Sequence, residues 1–367
     1  MTTESATTRR EFLFEAAMSS LALSALASDV LASQQPGTAT GLPTRVLGRT
    51  GERVSILALG GWHIGSVQDP SEANRIMHAA VDEGLTFFDN AWDYHDGGSE
   101  EVMGRALADG RRDKVFLMTK NCERDYAGSM KCLDESLRRL RTDRIDLWQF
   151  HEINYDNDPD WVFEKGGLKA AIEARKAGKV RYIGFTGHKD PRIHLSMLDK
   201  PFEWDTCQLP VNVLDAHYRS FQKQVLPVCL KQKVGAIGMK GFGGNGIMRQ
   251  AGLTPEEAYR YALSQPIAAQ VVGLTSLEQL QQAIALGRGF TPLSAADQSA
   301  LAERVKPFAT DGRFELFKST QTFDAVFFSH EITELGALDR VPGRWTQIDR
   351  IRHVTIWKLE AAADQAM

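Results

Sequence analysis

The chain has 367 residues, 43% of them hydrophobic and 25% charged, which is the balance of an ordinary globular protein with one large domain or two small ones. A formal net charge of −4 and the lack of any long Lys/Arg block give nucleic acid no electrostatic footprint to recognise. Four cysteines, Cys122, Cys132, Cys207 and Cys229, are too few for a disulfide scaffold and form no CxxC pair, so each reads as a structural thiol and neither a metal nor an iron–sulfur cluster is expected.

In chain order, residues 1–27 come first as a candidate leader. Thr8-Arg9-Arg10-Glu11-Phe12-Leu13 resembles a twin-arginine export signal; an apolar stretch from Ala16 to Ala27 follows, and Ala25-Leu26-Ala27 offers a small-x-small cleavage site. The stretch falls short of the roughly 20 apolar residues of a membrane span, so no integral membrane segment is expected in the mature chain. The leader implies the twin-arginine machinery as a partner and a periplasmic or otherwise exported location; a disordered leader on a cytoplasmic chain that happens to contain Arg-Arg is the alternative. Residues 28–43 read as a linker, 44–323 as the folded body and 324–367 as a tail of unknown role.

The folded body opens with Thr44–Val54, whose central Thr50-Gly51 turn predicts a short hairpin closing the bottom of a barrel. Short apolar runs then alternate with amphipathic ones. Predicted strands cover Ile56–Gly61, Thr86–Asn90, Val115–Lys120, Ile145–His151, Val180–Phe185, Cys207–Val211, Gly235–Met239 and Gln270–Val272. Helices are predicted over Ser71–Gly84 (with Ser71 as N-cap), Ser99–Ala108, Ala127–Leu140, Leu168–Ala177 and Leu277–Leu286, with a helical segment after every other strand as well. Eight strand–helix units in series predict an α/β fold, a (β/α)8 TIM barrel with an N-terminal hairpin and an extra C-terminal helical segment, Leu293–Ala309. An open doubly wound sheet would want a GxGxxG turn after an early strand, and Gly241–Gly246 comes too late for that. Arg340–His353 shows no clear period.

Four polar residues stand at or just after the ends of consecutive predicted strands: Asp89, Tyr94, Lys120 and His151. In a barrel of this kind those ends converge on the mouth where chemistry is placed. Taken singly, each has a structural alternative, as a helix cap, a rim aromatic, a solvated strand end and a core histidine. Together they suit carbonyl reduction or its reverse. A hydride arriving at a carbonyl carbon leaves negative charge on oxygen and calls for a proton donor. Tyr94 would be that donor, its phenolate stabilised and its pKa lowered from ~10 by Lys120. Asp89 would pair with Lys120, and a neutral His151 would hydrogen-bond the substrate oxygen.

The run Phe88-Asp89-Asn90-Ala91-x-x-Tyr94, then Ser99-Glu100 and Gly104, Thr119-Lys120, the His151 strand, and Gly178-Lys179-Val180-Arg181-x-Ile183-Gly184-Phe185-Thr186 resemble the aldo-keto reductase family, with the likeness running from about Val46 to Leu286. The resemblance implies a nicotinamide dinucleotide bound at the barrel mouth, NADP(H) rather than NAD(H) by family habit. Carried over by position, Thr186 and Gln208 would hold the carboxamide; Gly187 stands where the family more often has Asn, so one amide contact is expected to be lost. Met239 would serve as the apolar platform where relatives use an aromatic residue, beside Lys240. Gly241, Gly243 and the rest of the 241–244 loop would wrap the pyrophosphate, and Gly273, Leu274 and Thr275 lead into a helix whose N-terminus can receive phosphate. Gln279 and Gly273, both uncharged, occupy positions where relatives carry a cation for the 2′-phosphate.

Trp62, His63, Trp92, Asp93 and His95 are candidates to line the substrate pocket, with rim packing as the alternative. His188 and His194 read as structural or solvated. The substrate class is a small carbonyl or alcohol: aldehyde, ketone or sugar. Two other readings stay open at this point: a nucleotide-binding regulatory protein on the same barrel, and a barrel isomerase or hydrolase using Asp89 and Glu152 as paired carboxylates.

Overall fold

The computed structural model describes residues 26–35, 37, 41–243, 250–320, 344–351 and 354–360. The leader's Arg-Arg motif, Gly244 and all of residues 324–343 therefore lie outside the described residues. Eight parallel strands close into a barrel: β3 (Leu57–Gly60), β4 (Phe87–Asp89), β5 (Phe116–Asn121), β6 (Ile145–Phe150), β7 (Val180–Thr186), β8 (Thr206–Pro210), β9 (Gly235–Met239) and β10 (Ala269–Val272), with β10 pairing back onto β3. Ahead of them β1 (Thr44–Val46) and β2 (Arg53–Ser55) form the expected antiparallel hairpin.

Each barrel strand is buried on both faces, and side-chain alternation decides which residue faces where. Phe87, Phe116, Met118, Leu147, Ile237 and Ala269 fill the barrel interior; Leu47 and Val54 from the hairpin pack into the same cluster and close its floor. The intervening residues Phe88, Leu117, Trp148, Ile183, Phe185 and Cys207 face the surrounding helices. Continuing the inward parity up the strands gives Asp89 after Phe87, Lys120 after Met118, and Gln149 and His151 after Leu147. The same count puts Thr186 and Gln208 inside on β7 and β8. The residues that carry chemistry are thus the top layer of the barrel's own interior.

The boundaries follow local chemistry. Asp69, rather than Ser71, caps the helix Pro70–Asp82: its carboxylate accepts from the Ser71 N–H at 2.8 Å, and Pro70 takes the first helical position. The first barrel strand stops at Gly60 because Gly61–Gly65 turns into a short helix. A helix at Asp158–Glu164, opened by Pro159, was not legible as a separate element. Residues 26–32 are helical, Gln35 bridges Thr44, and the buried Arg45 donates to the carbonyls of Leu263 and Ile267 at 2.8 Å, anchoring the floor. The expected extra helix is Ala295–Ala309. Beyond it, the stretch that shows no sequence period contains β11 (Arg344–Ile351), paired antiparallel with β12 (Val354–Glu360). Among the described residues no helix is long and apolar enough to cross a membrane.

A second buried polar centre pins the chain that follows Ala309. Lys318 Nζ, fully buried, lies 2.6 Å from Asp215 Oδ1 and 2.9 Å from Glu315 Oε2, and donates to the Tyr218 carbonyl at 2.9 Å. Asp215 in turn accepts from the N–H groups of Phe221 and Gln222. This triad sets the short helix Leu316–Ser319 against the barrel mouth, where the Phe317 carbonyl meets His188 Nδ1 at 3.1 Å. Replacing Lys318 with Met strands two carboxylates in the interior. Urea unfolding of Lys318→Met is expected to show a loss of about 3–5 kcal/mol, the range for breaking a buried ion pair from one side; a change under about 1 kcal/mol would mean the triad is dispensable.

Candidate active site

At the barrel mouth Lys120, almost wholly buried, forms an ion pair with Asp89 Oδ1 and donates to the Asn90 carbonyl at 2.6 Å. Its Nζ reaches the Tyr94 hydroxyl at 3.3 Å and sits 4.7 Å from the centre of the Tyr94 ring. Asp89 also accepts from Gln208 Nε2 at 3.3 Å through its other oxygen. The neighbouring Thr119 faces outward and donates to the buried carboxylate of Glu100 at 2.6 Å, which Arg139 also contacts at 3.3 Å. Glu100 thereby ties the helix Gly98–Leu107 to β5 one residue from Lys120.

His151 lies across Tyr94, the ring centres 5.5 Å apart and nearly perpendicular. Its Nδ1 is 3.1 Å from Asp93 Oδ1 and 3.6 Å from the buried Cys122 Sγ. Burial works against the charge on Asp93, but the His151 ring and the Cys122 thiol outweigh it and hold the carboxyl below its usual range. Arg124 fixes the backbone here: paired with Asp158 at 3.0 Å, it donates to the carbonyls of His151 at 2.8 Å and Glu152 at 3.0 Å. Glu152, with φ of 46°, turns back so that its carboxylate meets His188 Nε2 at 3.2 Å. Asp93 was expected only as a pocket wall and Cys122 only as a structural thiol; Arg124 carried no sequence signal at all.

The environment of Tyr94 reverses one expectation. Burial, with the carboxylates of Asp89, Asp93 and Glu152 and the Cys122 thiol adding to it, pushes the phenol well above its usual pKa. Lys120 is engaged with Asp89 and the Asn90 carbonyl. Tyr94 at rest is therefore a protonated phenol with an ammonium in reach.

The positions assigned to a dinucleotide lie on the neighbouring strands. Thr186 and Gln208 pair in register on β7 and β8, and both are buried. Gln208 Oε1 is buried and accepts no hydrogen bond within the chain, which suits the N–H of a carboxamide. The missing Asn beyond Thr186 has a steric cause: a Cβ on Gly187 would fall 2.3 Å from the Ile153 carbonyl oxygen. The structural reading of His194 has a function too, since its Nε2 lies 3.3 Å from the Gln208 carbonyl, and burial lowers its pKa to about 3, keeping it neutral. Met239 ends β9 half-buried, and Lys240 follows with φ of 56°, its ammonium 5.5 Å from the Phe317 ring. Burial lowers the Lys240 pKa, with Glu152 opposing and Lys120 adding to the effect. Gly241 and Gly243 continue the loop.

On the far side, Gly273 is packed so closely on His63 that a Cβ there would lie 2.2 Å from His63 Nδ1, and Leu274 is buried behind it. The helix Leu277–Arg288 is capped by Ser276, whose Oγ accepts from Gln279 N at 3.2 Å. Gln279 Oε1 accepts in turn from Thr275 N at 2.8 Å and Thr275 Oγ1 at 3.1 Å. Its side chain is folded onto the cap and brings no charge.

Of the pocket candidates, Trp62 and His95 stand together beside Tyr94. Trp62 meets the Tyr94 ring edge-on at 5.4 Å and stacks on His95 at 4.6 Å, while His95 Nε2 contacts the Trp62 carbonyl at 2.7 Å. His95 and Asp96 both adopt left-handed backbone, with φ of 52° and 55°, a strained choice for residues other than glycine. Trp92 goes elsewhere: it is buried against the helix Tyr126–Leu140, where its indole donates to Glu135 at 2.8 Å and Arg139 covers its ring.

Comparison with known proteins adds a second line of evidence. Residues 56–257 match the model of the Aldo/keto reductase family. The uncharacterized oxidoreductase YrpG of Bacillus subtilis is 39% identical over 159 residues, covering 38% of this chain and 47% of its own length. The aldo-keto reductase yakc [NADP(+)] of Schizosaccharomyces pombe is 35% identical over 163 residues, covering 40% and 45%. The chain thus spans about half the length of these curated relatives. Among solved structures, the aldo-keto reductase AKR11C1 from Bacillus halodurans superposes with a TM-score of 0.61 at 23% identity, covering 71% of this chain and 95% of that one; this is a likeness of fold.

The raised phenol is open to direct measurement. Phenolate absorbance of the native protein minus that of Tyr94→Phe is expected to show no ionisation of Tyr94 up to pH 10.0, the ordinary midpoint for a tyrosine. A difference signal that titrates near neutrality would mean that Lys120 controls the hydroxyl after all.

Proposed function

The chain belongs to the aldo/keto reductase family, and on that premise we propose that it is a nicotinamide-dependent oxidoreductase acting on a small aldehyde, ketone or sugar carbonyl, or on the corresponding alcohol. The observation that carries this reading is the convergence of Tyr94, Lys120, Asp89 and His151 on one mouth, with the Lys120 ammonium 3.3 Å from the Tyr94 hydroxyl. A hydrolase built on Asp89 and Glu152 would leave that arrangement without a task, since Asp89 is taken up by Lys120 and Glu152 by His188.

A reduced nicotinamide bound at the mouth supplies the hydride. Thr186 and Gln208 would hold its carboxamide, with Met239 beneath the ring, and the Gly241–Gly243 backbone with Lys240 would follow the pyrophosphate toward Gly273, Leu274 and Thr275. Tyr94, neutral at rest, keeps its proton until negative charge develops on the substrate oxygen, then gives it up. Lys120 sits where it can stabilise the phenolate that remains, and Asp89 holds Lys120 in place. His151 contributes a ring nitrogen toward the same oxygen and fixes the carbonyl's orientation. The stacked Trp62 and His95 offer apolar faces with polar tips, which suits a sugar or an aromatic carbonyl. NADP(H) is the expected form by family habit, and the fission-yeast relative bears NADP(+) in its name. Residues 1–27, read as a twin-arginine leader, add an exported location to this proposal.

Two experiments test it. Tyr94→Phe is expected to lower kcat by about 10²–10⁴-fold while NADPH still quenches tryptophan fluorescence; full activity in this variant would remove Tyr94 from the chemistry, and absence of nucleotide binding in the unaltered protein would overturn the oxidoreductase reading. Gln279→Arg should tighten NADPH binding by about tenfold or more and leave NADH unchanged, as one new charge-assisted contact to a 2′-phosphate predicts. Equal gains for both nucleotides would mean that the 2′-phosphate lies elsewhere.

A further inference from the structure

From the geometry beside Tyr94 we infer a site for a zinc-class divalent cation, formed by Asp93, Cys122 and His151. The three residues come from different segments: Asp93 from the loop after β4, Cys122 from the residue after β5, and His151 from the residue after β6. Each offers one ligand atom, a ring nitrogen of His151, Cys122 Sγ and a carboxylate oxygen of Asp93, and the three lie within 4.8 Å of one another. Cys122 and His151 are buried, and so is Asp93 Oδ1, the carboxylate oxygen 3.1 Å from His151 Nδ1.

Two of the three ligand–ligand separations fit the edges of a coordination tetrahedron. Zinc bonds of about 2.3 Å to sulfur, about 2.05 Å to imidazole nitrogen and about 2.0 Å to carboxylate oxygen, opened to the tetrahedral angle, give ligand–ligand edges of about 3.6 Å for N···S and about 3.3 Å for N···O. The observed separations from His151 Nδ1 are 3.6 Å to Cys122 Sγ and 3.1 Å to Asp93 Oδ1. A thiolate, an imidazole and a carboxylate form a donor set for zinc or cobalt(II) rather than for magnesium or calcium, which prefer all-oxygen shells. Three protein ligands leave the fourth position for water, the pattern of an open zinc site. Binding displaces the Cys122 thiol proton to solvent and leaves the thiolate on the metal. Arg124, holding the His151 backbone, and the loop that carries Asp93 bring the ligands into position before any cation arrives. The inference rests on the proposed reaction only for its consequence, that the cation competes with that chemistry for His151.

The test uses the full chain and zinc itself. Competition with a chromophoric zinc chelator is expected to give one site per chain, and cobalt(II) in place of zinc should show thiolate-to-cobalt charge-transfer absorption. Cys122→Ala should abolish that absorption, and Cys122→Ala and Asp93→Asn should each weaken zinc binding by more than about tenfold, since even the outer partners of metal ligands are worth that much. Circular dichroism and thermal unfolding of both variants check that they fold. Zinc binding that both variants retain at full strength, or no site in the unaltered protein, overturns the inference and assigns the cluster to S–H and N–H hydrogen bonding alone. NADPH titration of the same preparation separates the two readings: zinc binding without nucleotide binding removes the reductase and leaves the cation site, and the reverse result removes the cation site only.

Discussion

The mouth of this barrel is organised around one buried ion pair, Lys120 with Asp89. A cation so deeply enclosed is tolerable only with a countercharge and further acceptors around it, and Asp89 and the Asn90 carbonyl supply both. The pair fixes more than itself. Asp89 extends the network to Gln208 on the other side of the barrel. Lys120 brings its ammonium to Tyr94, and Thr119 beside it binds Glu100. Three strands and a helix are thereby tied to two charges, so Tyr94, Lys120 and Gln208 are set by a single arrangement.

Much of this could be read from the chain alone, because the fold and the chemistry are written in the same alternation. Phe87 and Asp89, or Met118 and Lys120, are successive inward residues of one strand; a pattern that predicts the strand also predicts which end residue faces the interior. The barrel, its floor hairpin and the convergence of the four polar residues follow from that regularity. Thr186 and Gln208 follow the same rule one and two strands on, and the resemblance to known reductases located them by position.

What sequence did not disclose lies in contacts between residues far apart in the chain. Arg124 grips the His151 carbonyl across 27 positions, and Lys318 reaches Asp215 across 103; neither leaves a local periodic trace. The Tyr94 environment is the instructive case. From sequence, the nearest relevant charge is Lys120, which argues for an acidified phenol. In the folded chain three carboxylates and burial surround the same hydroxyl, and the lysine is already paired, so the sign of the effect reverses. The cluster of Asp93, Cys122 and His151 escaped for a related reason: metal-site spacing is sought within one segment, and here every ligand comes from a different loop.

The aromatic wall has a consequence for how this protein's selectivity can change. Trp62 leans on His95 on one side and on the Tyr94 ring on the other. In the proposed reaction, selectivity and rate are thereby mechanically coupled. An alteration of the wall that admits a new substrate also shifts the support of the proton donor, and substitutions at positions 62 and 95 will combine non-additively. Divergence of substrate range in this lineage should therefore favour exchanging both segments together over changing single residues in either.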